Sequence, residues 1–440
     1  MLPACIRYLL CFTRGMVRIS RFLLVMFCML LLADGVYADA GKIVSSIHID
    51  GLKRTEEATV LRELPFYIGT VWQHEFASLS ERRLRNLGIF SEVVVLPPDD
   101  SGQVNLRVKE RWTLWVLPQV TRKDNGASSA SVVVDEHNLW GLNHHIRVAY
   151  KRDTGKNFSS LKGTSYESSY NWRRIADSKL SMVMSGTWGR SLFDAYSNGL
   201  HVAQYLQRGK SGSLLFTYAL DEVPDEGWSI AAGFSGSNAQ YRFISGTPQV
   251  DINGYRVRAL QTGVSYRQID DQITWLTGRA FDYSIAAAHR GVGSSVNSYS
   301  HKASWREYYA FSGQSTFNVR VNGGLMTGDV QRSGIFDIGN RNGLRGYYPG
   351  ELQGTHYFYG TLEGRFPIRE GSNFQLVAFT DIGKIGGRIG TSVTHGMALG
   401  AGGGFRWTMR WLAKGTLRGD MAYGVASKRW RFYLGTGQAF

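Results

Sequence analysis

A membrane β-barrel of about 16 antiparallel strands, preceded by one small α+β domain, is the fold class this sequence predicts. Three observations carry it. From residue 113 onward, apolar and polar residues alternate with a period of two, with Gly, Asn, Asp and Ser between the alternating segments. The 440 residues include 52 Gly and 13% aromatics but only 9 Pro, which is too Gly-rich for a helical bundle and too patterned for disorder. The chain ends SKRWRFYLGTGQAF, where Trp430, Phe432, Leu434 and Phe440 share one parity and Gly435 and Gly437 loosen the strand.

Residues 1–40 read as a signal peptide. Arg7, Arg14, Arg18 and Arg21 precede or open the apolar run FLLVMFCMLLLA, and Ala38-Asp39-Ala40 supplies a small-residue cleavage site. The run is shorter than the roughly 20 residues a spanning helix needs. Either Met1 or Met16 fits as the start. Cys5, Cys11 and Cys28 all fall in this segment, so the exported chain is expected to carry no disulfide, thiolate nucleophile or Cys-ligated zinc. Removing the leader's four Arg and two Asp takes the formal charge from +15 to +13. That balance suits anionic lipid head groups, and no clustered nucleic-acid motif accompanies it.

Residues 41–112 form the small domain. Ile43, Ser45, Ile47 and Ile49 alternate with Val44, Ser46, His48 and Asp50, predicting a strand that Asp50-Gly51 closes. Thr55 ahead of Glu56 and Glu57 predicts a capped helix start. FASLSERRLRNLG predicts a second helix, with Phe76, Leu79, Leu84 and Leu87 on one face and Gly88 as its left-handed end. SEVVVLP and QVNLRVKE predict two strands around the turn PPDDSG. A three-stranded sheet under two helices leaves an edge that can template an incoming strand. The phrases IHIDGLKRT and LRNLGIFSEVVV resemble a polypeptide-transport-associated (POTRA) domain, and one copy fits before residue 113.

Residues 113–440 carry the barrel. Ile146, Val148 and Tyr150 interleave with His145, Arg147 and Lys151; Leu214, Phe216, Tyr218 and Leu220 form another apolar face; Phe317, Val319 and Val321 interleave with Asn318, Arg320 and Asn322. At about 20 residues per strand and connection this length holds about 16 strands. A first strand is expected near Leu114 to Val120. One long loop, between segments ending near Leu325 and beginning near Thr355, contains GLRGYYPG. In the next two strands Glu363 and Arg365 oppose Phe358, Leu362 and Phe366, and Phe379, Asp381 and Gly383 oppose Leu376, Ala378, Thr380 and Ile382. With the apolar faces on lipid, Glu363 and Asp381 point into the lumen, where two carboxylates repel unless a cation lies between them. Arg345 can fill that place if its loop folds inward.

GLRGYYPG, with Arg345, Gly346 and Tyr347, resembles the inner-loop signature of the outer-membrane assembly factor and surface antigen superfamily. TLEGRFPI, FTDIG and GGGFRW resemble the strand motifs that follow it, and Asn138, Leu139 and Gly141 in VVVDEHNLWGLNHHIRVAY match its early-barrel phrase. The resemblance implies periplasmic POTRA modules joined to a sixteen-stranded outer-membrane barrel, with Glu363 and Asp381 as partners of Arg345. It also implies insertion of β-barrel clients or polypeptide translocation, with clients met at the POTRA edge, periplasmic chaperones or lipoproteins as further partners, and a weak seam between first and last strands. A passive channel or structural porin is the alternative.

Enzyme readings fail at named positions. Gln204 replaces the first glycine of a phosphate loop ending Gly209-Lys210-Ser211, and Ser78 replaces the second histidine of a zinc-protease pattern begun by His74-Glu75. No G-x-S-x-G elbow occurs. Asp135, Glu136, His137, His144 and His145 read as turn and lumen residues, so no metal, cofactor or catalytic role is assigned.

Overall fold

The computed structural model describes residues 41–122, 127–156, 161–197, 200–248, 252–329, 335–389 and 392–436. The expected leader, Gly437 and Phe440 lie outside the described residues.

The N-terminal module contains β1 (Ser46–Asp50), α1 (Glu57–Leu61), α2 (Glu75–Asn86), β2 (Phe90–Leu96) and β3 (Gln103–Glu110). Its sheet has the order β1-β3-β2, with β1 parallel and β2 antiparallel to β3. Both helices pack on one face, where Val60, Phe76, Leu84, Val93, Val95, Val104 and Leu106 form the core. Gly51 follows β1 with φ 97°, and a Cβ there would lie 1.9 Å from the Val108 carbonyl oxygen. Gly88 ends α2 with φ 75°, as its sequence position predicts.

The start of α1 differs from expectation. Glu56 is the capping residue and supplies no side-chain cap. The Thr55 amide instead donates to the Glu110 carboxylate at 2.8 Å, and the Thr55 hydroxyl accepts from Asn138 Nδ2 at 2.9 Å. A tertiary contact has taken the group that a local cap would have used.

The barrel begins with β4 (Leu114–Arg122), β5 (Ala127–Leu139), β6 (His144–Lys156), β7 (Leu161–Trp172) and β8 (Leu180–Ser197). It continues with β9 (Leu200–Ala219), β10 (Gly227–Gly246), β11 (Tyr255–Asp271), β12 (Leu276–Ala288), β13 (Ser298–Ser312) and β14 (Ser315–Gly328). After the long loop come β17 (His356–Pro367), β18 (Phe374–Ile389), β19 (Ser392–Thr408), β20 (Thr416–Gly424) and β21 (Arg429–Thr436). These make one antiparallel sheet of 16 strands, ordered from β4 to β21. Phe216, Ile230, Phe234, Leu260, Phe358, Leu362, Met421, Trp430, Phe432 and Leu434 are exposed on the outer face, the inversion expected of a barrel in lipid.

Among the described residues no ladder joins β4 to β21. At the module-side end, however, the Trp112 amide donates to the Trp411 carbonyl at 2.7 Å and the Ala413 amide to the Trp112 carbonyl at 2.8 Å. The seam is therefore pinned at one end, through the β19–β20 turn.

The loop between β14 and β17 turns inward. It carries a short hairpin, β15 (Phe336–Asp337) with β16 (Gln353–Gly354), and its Phe336, Ile338, Leu344 and Tyr347 pack with Met326, Tyr359, Ile385 and Ala398 from the wall.

Candidate functional site

Strand periodicity sets the lumenal site. In β17, Leu362 is exposed while Glu363 is fully buried, and in β18 Ile382 is exposed while Asp381 is fully buried. Thr361 lies opposite Asp381 in the ladder, so the two carboxylates approach on the inner face of neighbouring strands. The inward loop places Arg345 between them.

The guanidinium forms a fork. Nε donates to Asp381 Oδ2 at 2.8 Å, Nη2 to Asp381 Oδ1 at 2.9 Å and Nη1 to Glu363 Oε2 at 2.7 Å. The Arg345 amide adds a fourth bond, to Asp381 Oδ2 at 3.0 Å. Phe379 supplies a face for the cation, 3.4 Å from its ring centroid. Backbone groups that flank the loop arginine are held by β21: the Gly346 amide donates to the Tyr433 hydroxyl at 3.0 Å, which donates in turn to the Tyr347 carbonyl at 3.0 Å. The Tyr347 hydroxyl donates to the Leu399 carbonyl and accepts from the Ala426 amide.

Close approach explains the glycines. Gly346 has φ 96°, and a Cβ there would lie 2.6 Å from the Gly424 amide nitrogen. A Cβ on Gly383 would come within 2.9 Å of Leu344 Cδ1, and one on Gly400 within 2.0 Å of the Arg345 carbonyl oxygen. The loop backbone lies directly on the strand backbone.

Around Arg345, Glu363 and Asp381 the structure gathers further charges whose contacts the sequence did not indicate. Arg406 bridges Glu363 at 3.1 Å and Asp420 at 2.6 Å, Arg365 donates to Glu363 at 2.9 Å, and Arg418 donates to the Arg341 carbonyl and Asn342 Oδ1 at 2.8 Å. Asp420 alternates with exposed Met421 in β20, so its inward parity was readable; its partners were not. Buried acids and guanidiniums interleave, which is how an interior tolerates charge.

A second charged surface joins the module to the barrel mouth. Arg82 and Arg83 on α2 donate to Glu226 at 3.1 to 3.2 Å, Arg83 also reaches Glu222 at 2.9 Å, and Arg85 reaches Asp270 at 3.3 Å. Glu63, fully buried, faces Arg62, Arg173 and Arg174. At the junction, Arg111 donates to the Gly88, Met409, Arg410 and Leu412 carbonyls. The arginines of α2 are thus paired with the β9–β10 turn and the end of β11.

Asp135, His137 and His145 also come together, their ligand atoms within 4.8 Å of one another. The two imidazoles stack at 4.3 Å with planes 8° apart. Coordinating lone pairs lie in the ring planes, and two nearly parallel planes do not meet at one ion. Arg147 holds the other carboxylate oxygen of Asp135 at 2.8 Å.

At the C-terminal strand, Phe432 and Leu434 point outward and are 70% and 57% exposed. Arg341 from the inward loop reaches the Leu434 carbonyl at 3.4 Å.

A sixteen-stranded outer-membrane barrel with a buried loop arginine, capped by a POTRA module, is a recognisable class of protein. The chain belongs to the Omp85 superfamily: the Omp85 superfamily domain matches residues 138–440, and the POTRA family described as surface antigen variable number repeat matches residues 42–111. The outer membrane protein assembly factor BamA of Neorickettsia risticii (strain Illinois) is 23% identical over 415 residues, covering 86% of this chain and 52% of that protein. The chain thus spans about half the length of the curated relative it matches. Among solved structures, CdiB from Acinetobacter baumannii superposes with TM-score 0.58 at 17% identity, covering 89% of this chain and 73% of that one. BamA from Haemophilus ducreyi lacking POTRA domains 1–3 superposes with TM-score 0.51 at 15% identity, covering 90% and 83%. These likenesses concern the fold.

Proposed function

We propose that this chain inserts β-barrel clients into the outer membrane or translocates polypeptide across it. Residues 41–112 act in the periplasm as the docking module, residues 113–440 span the membrane, and residues 1–40 are the leader. The observation that carries the reading is the pairing of a fixed side with an open one. The inward loop is bonded to β17, β18 and β21, whereas β4 and β21 share no ladder among the described residues. Two strand edges that share no ladder among the described residues are a template for a client strand.

The module offers a second edge. Val95 in β2 donates its amide to Glu81 Oε1 at 3.1 Å, so that donor is capped; Val93, of the same parity, lies on the same edge. Client capture there engages a short stretch of β2. Periplasmic chaperones or lipoproteins are candidate further partners, and the family setting calls for no nucleotide.

The test is a reversible lock. The three cysteines of the chain all precede residue 41, so one cysteine in β4 and one in β21, with Cα atoms within about 7 Å, form an unambiguous disulfide. Oxidation is expected to abolish client assembly or passage and reduction to restore it. Normal client handling with the seam fully locked would overturn the lateral reading and favour passage through the lumen. Ion conductance without any client dependence would favour a passive channel.

A further inference from the structure

The outer face of β7 to β11 carries a basic hollow. Cross-strand pairing aligns Tyr166 with Trp188, Trp188 with Lys210, Lys210 with Asn238, and Asn238 with Arg256. Directly paired residues share a face, and Lys210 has the parity of Leu214, Phe216 and Tyr218, the apolar side of β9. The next same-face pair is Arg190 with Arg208, and Arg258 lies two residues from Arg256. A hollow of about 670 Å³ opens here, lined by Tyr166, Trp188, Arg190, Arg208, Lys210 and Asn238.

Its height on the barrel follows from strand geometry. Trp228 and Tyr266, paired across β10 and β11, mark the aromatic level nearest the N-terminal module, and their rings lie 5.1 Å apart. Ten residues further along β10 is Asn238, in the row of Lys210. At about 3.3 Å per residue and a tilt of about 40°, the separation is about 25 Å, the height of an outer-membrane apolar band. Tyr166 and Trp188, stacked with centroids 5.4 Å apart, are the aromatics of the far interface. The cations therefore lie at and just beyond the lipid head groups.

No ion pair among the described residues engages Arg190, Arg208, Lys210, Arg256 or Arg258; Arg258 donates only to the Ser237 and Val257 carbonyls. Arg190 directly opposite Arg208 is a like-charge cross-strand pair, unfavourable by itself. An anion between them reverses the sign of that interaction. The apolar rows below and the stacked aromatics beside the hollow select an anion that is anchored by acyl chains.

We propose that this hollow binds the phosphate-bearing head group of a lipid in the external leaflet. The assignment to the external leaflet rests on the periplasmic placement of the POTRA module; binding itself does not. A lipid held there would fasten β7 to β11 in the membrane, on the side of the barrel away from the seam.

The experiment uses the full chain purified in neutral phosphatidylcholine nanodiscs, with native mass spectrometry counting lipid retained after titration with a diphosphorylated glycolipid or its dephosphorylated counterpart. Both leaflets are identical in such discs, so the outcome is independent of orientation, which is read separately by labelling Glu370→Cys, in the exposed β17–β18 turn, on intact and permeabilised cells. Preferential retention of the phosphorylated lipid is expected. The triple variant Arg190→Gln, Arg208→Gln, Lys210→Gln should lose at least tenfold of it, while Arg190→Lys with Arg208→Lys should keep most of it. A heat-modifiability gel verifies folding, and the lysine pair keeps the comparison meaningful if the triple variant misfolds. Equal retention of both glycolipids, retention unchanged in the triple variant, loss in the lysine pair equal to that in the triple, or full displacement by millimolar inorganic phosphate would each overturn the proposal, the last by revealing a free-anion site. Client assembly is not a readout here, so failure of the assembly reading leaves this one standing.

Discussion

The lumenal cluster around Arg345 and the charged ring at the barrel mouth are built from the same residue types and teach different lessons. In the lumen, Arg345, Glu363, Asp381, Arg406 and Asp420 are all at most 1% exposed, and each carboxylate meets a guanidinium across 2.6 to 2.9 Å. At the mouth, the Arg82 side chain is 38% exposed and that of Glu222 73%. Removing a partner from the first set strands a charge where water does not screen it. Removing Glu222 from the second leaves Arg83 with Glu226 as its remaining carboxylate, and Arg82 beside it stays open to solvent. The lumen is a fixed joint, and the mouth is a joint that salt can loosen.

The largest expected effect tests the fixed joint. Arg345→Ala leaves Glu363 and Asp381 without their shared donor, and loss of one partner from a buried pair costs about 3–5 kcal/mol. Arg345→Lys should be nearly as damaging, because an ammonium cannot reproduce a fork that reaches two carboxylates and a ring face. Thermal unfolding in detergent and client assembly in cells are the measurements; wild-type behaviour of the lysine variant at normal barrel levels would remove the directional role of the guanidinium.

Next comes Gly400→Ala. Its Cβ would lie 2.0 Å from the Arg345 carbonyl oxygen, so the loop must lift while every charge is retained. A loss of about 1–3 kcal/mol is expected from overpacking. Stability equal to wild type would show that charge alone, without backbone contact, holds the loop.

At the mouth, Glu222→Gln, which leaves Arg83 paired with Glu226, should change global stability by only about 0–1 kcal/mol. It should nevertheless expose α2 to protease more readily, and added salt should do the same to the wild-type protein while leaving the lumen intact. Salt-independent protection of α2 would make the mouth a second fixed joint and dissolve the comparison.

The smallest effect concerns pH. Burial alone would raise the Glu110 carboxyl, but amides of Lys53, Arg54 and Thr55 and the Thr55 side chain hold it below its ordinary 4.5. A depressed carboxyl stabilises the fold above the unfolded value, and that contribution is lost as pH falls through the lower folded one. Amide exchange at residues 53–55, corrected for its intrinsic pH dependence, should quicken below pH 4.5 in the wild type. In Glu110→Gln it should be quicker at neutral pH already, with the Arg345 loop unaffected in both.

Alternation is a local property, and it made most of the architecture legible. A period of two assigns each residue of a strand to lipid or lumen without reference to any neighbour, so Leu362 and Glu363, or Ile382 and Asp381, could be sorted from the sequence. The turn glycines Gly51 and Gly88 were legible for the same reason, since a left-handed backbone is a local demand. What a lumen-facing residue touches is not local. Arg406, Asp420 and Tyr433 come from three strands beyond the motif that named Arg345, and their meeting depends on sheet register and on how far the loop descends. Thr55 shows the limit most plainly: a sound helix cap in isolation, it went to Glu110 at the end of β3 and, once the module met the barrel, to Asn138.

The sequence by itself determined the class of fold, a barrel with a small α+β module, because periodicity, turn residues and residue polarity act over a few positions. The tertiary structure alone decided that seven buried charges form one interleaved cluster, that the α2 arginines grip barrel turns, that β4 and β21 share no ladder among the described residues, and that like charges on β8 and β9 face one another outside. Each of those depends on Coulomb and hydrogen-bond terms between residues distant in the chain, whose size is set by separation and burial, and neither quantity exists until the strands are in register.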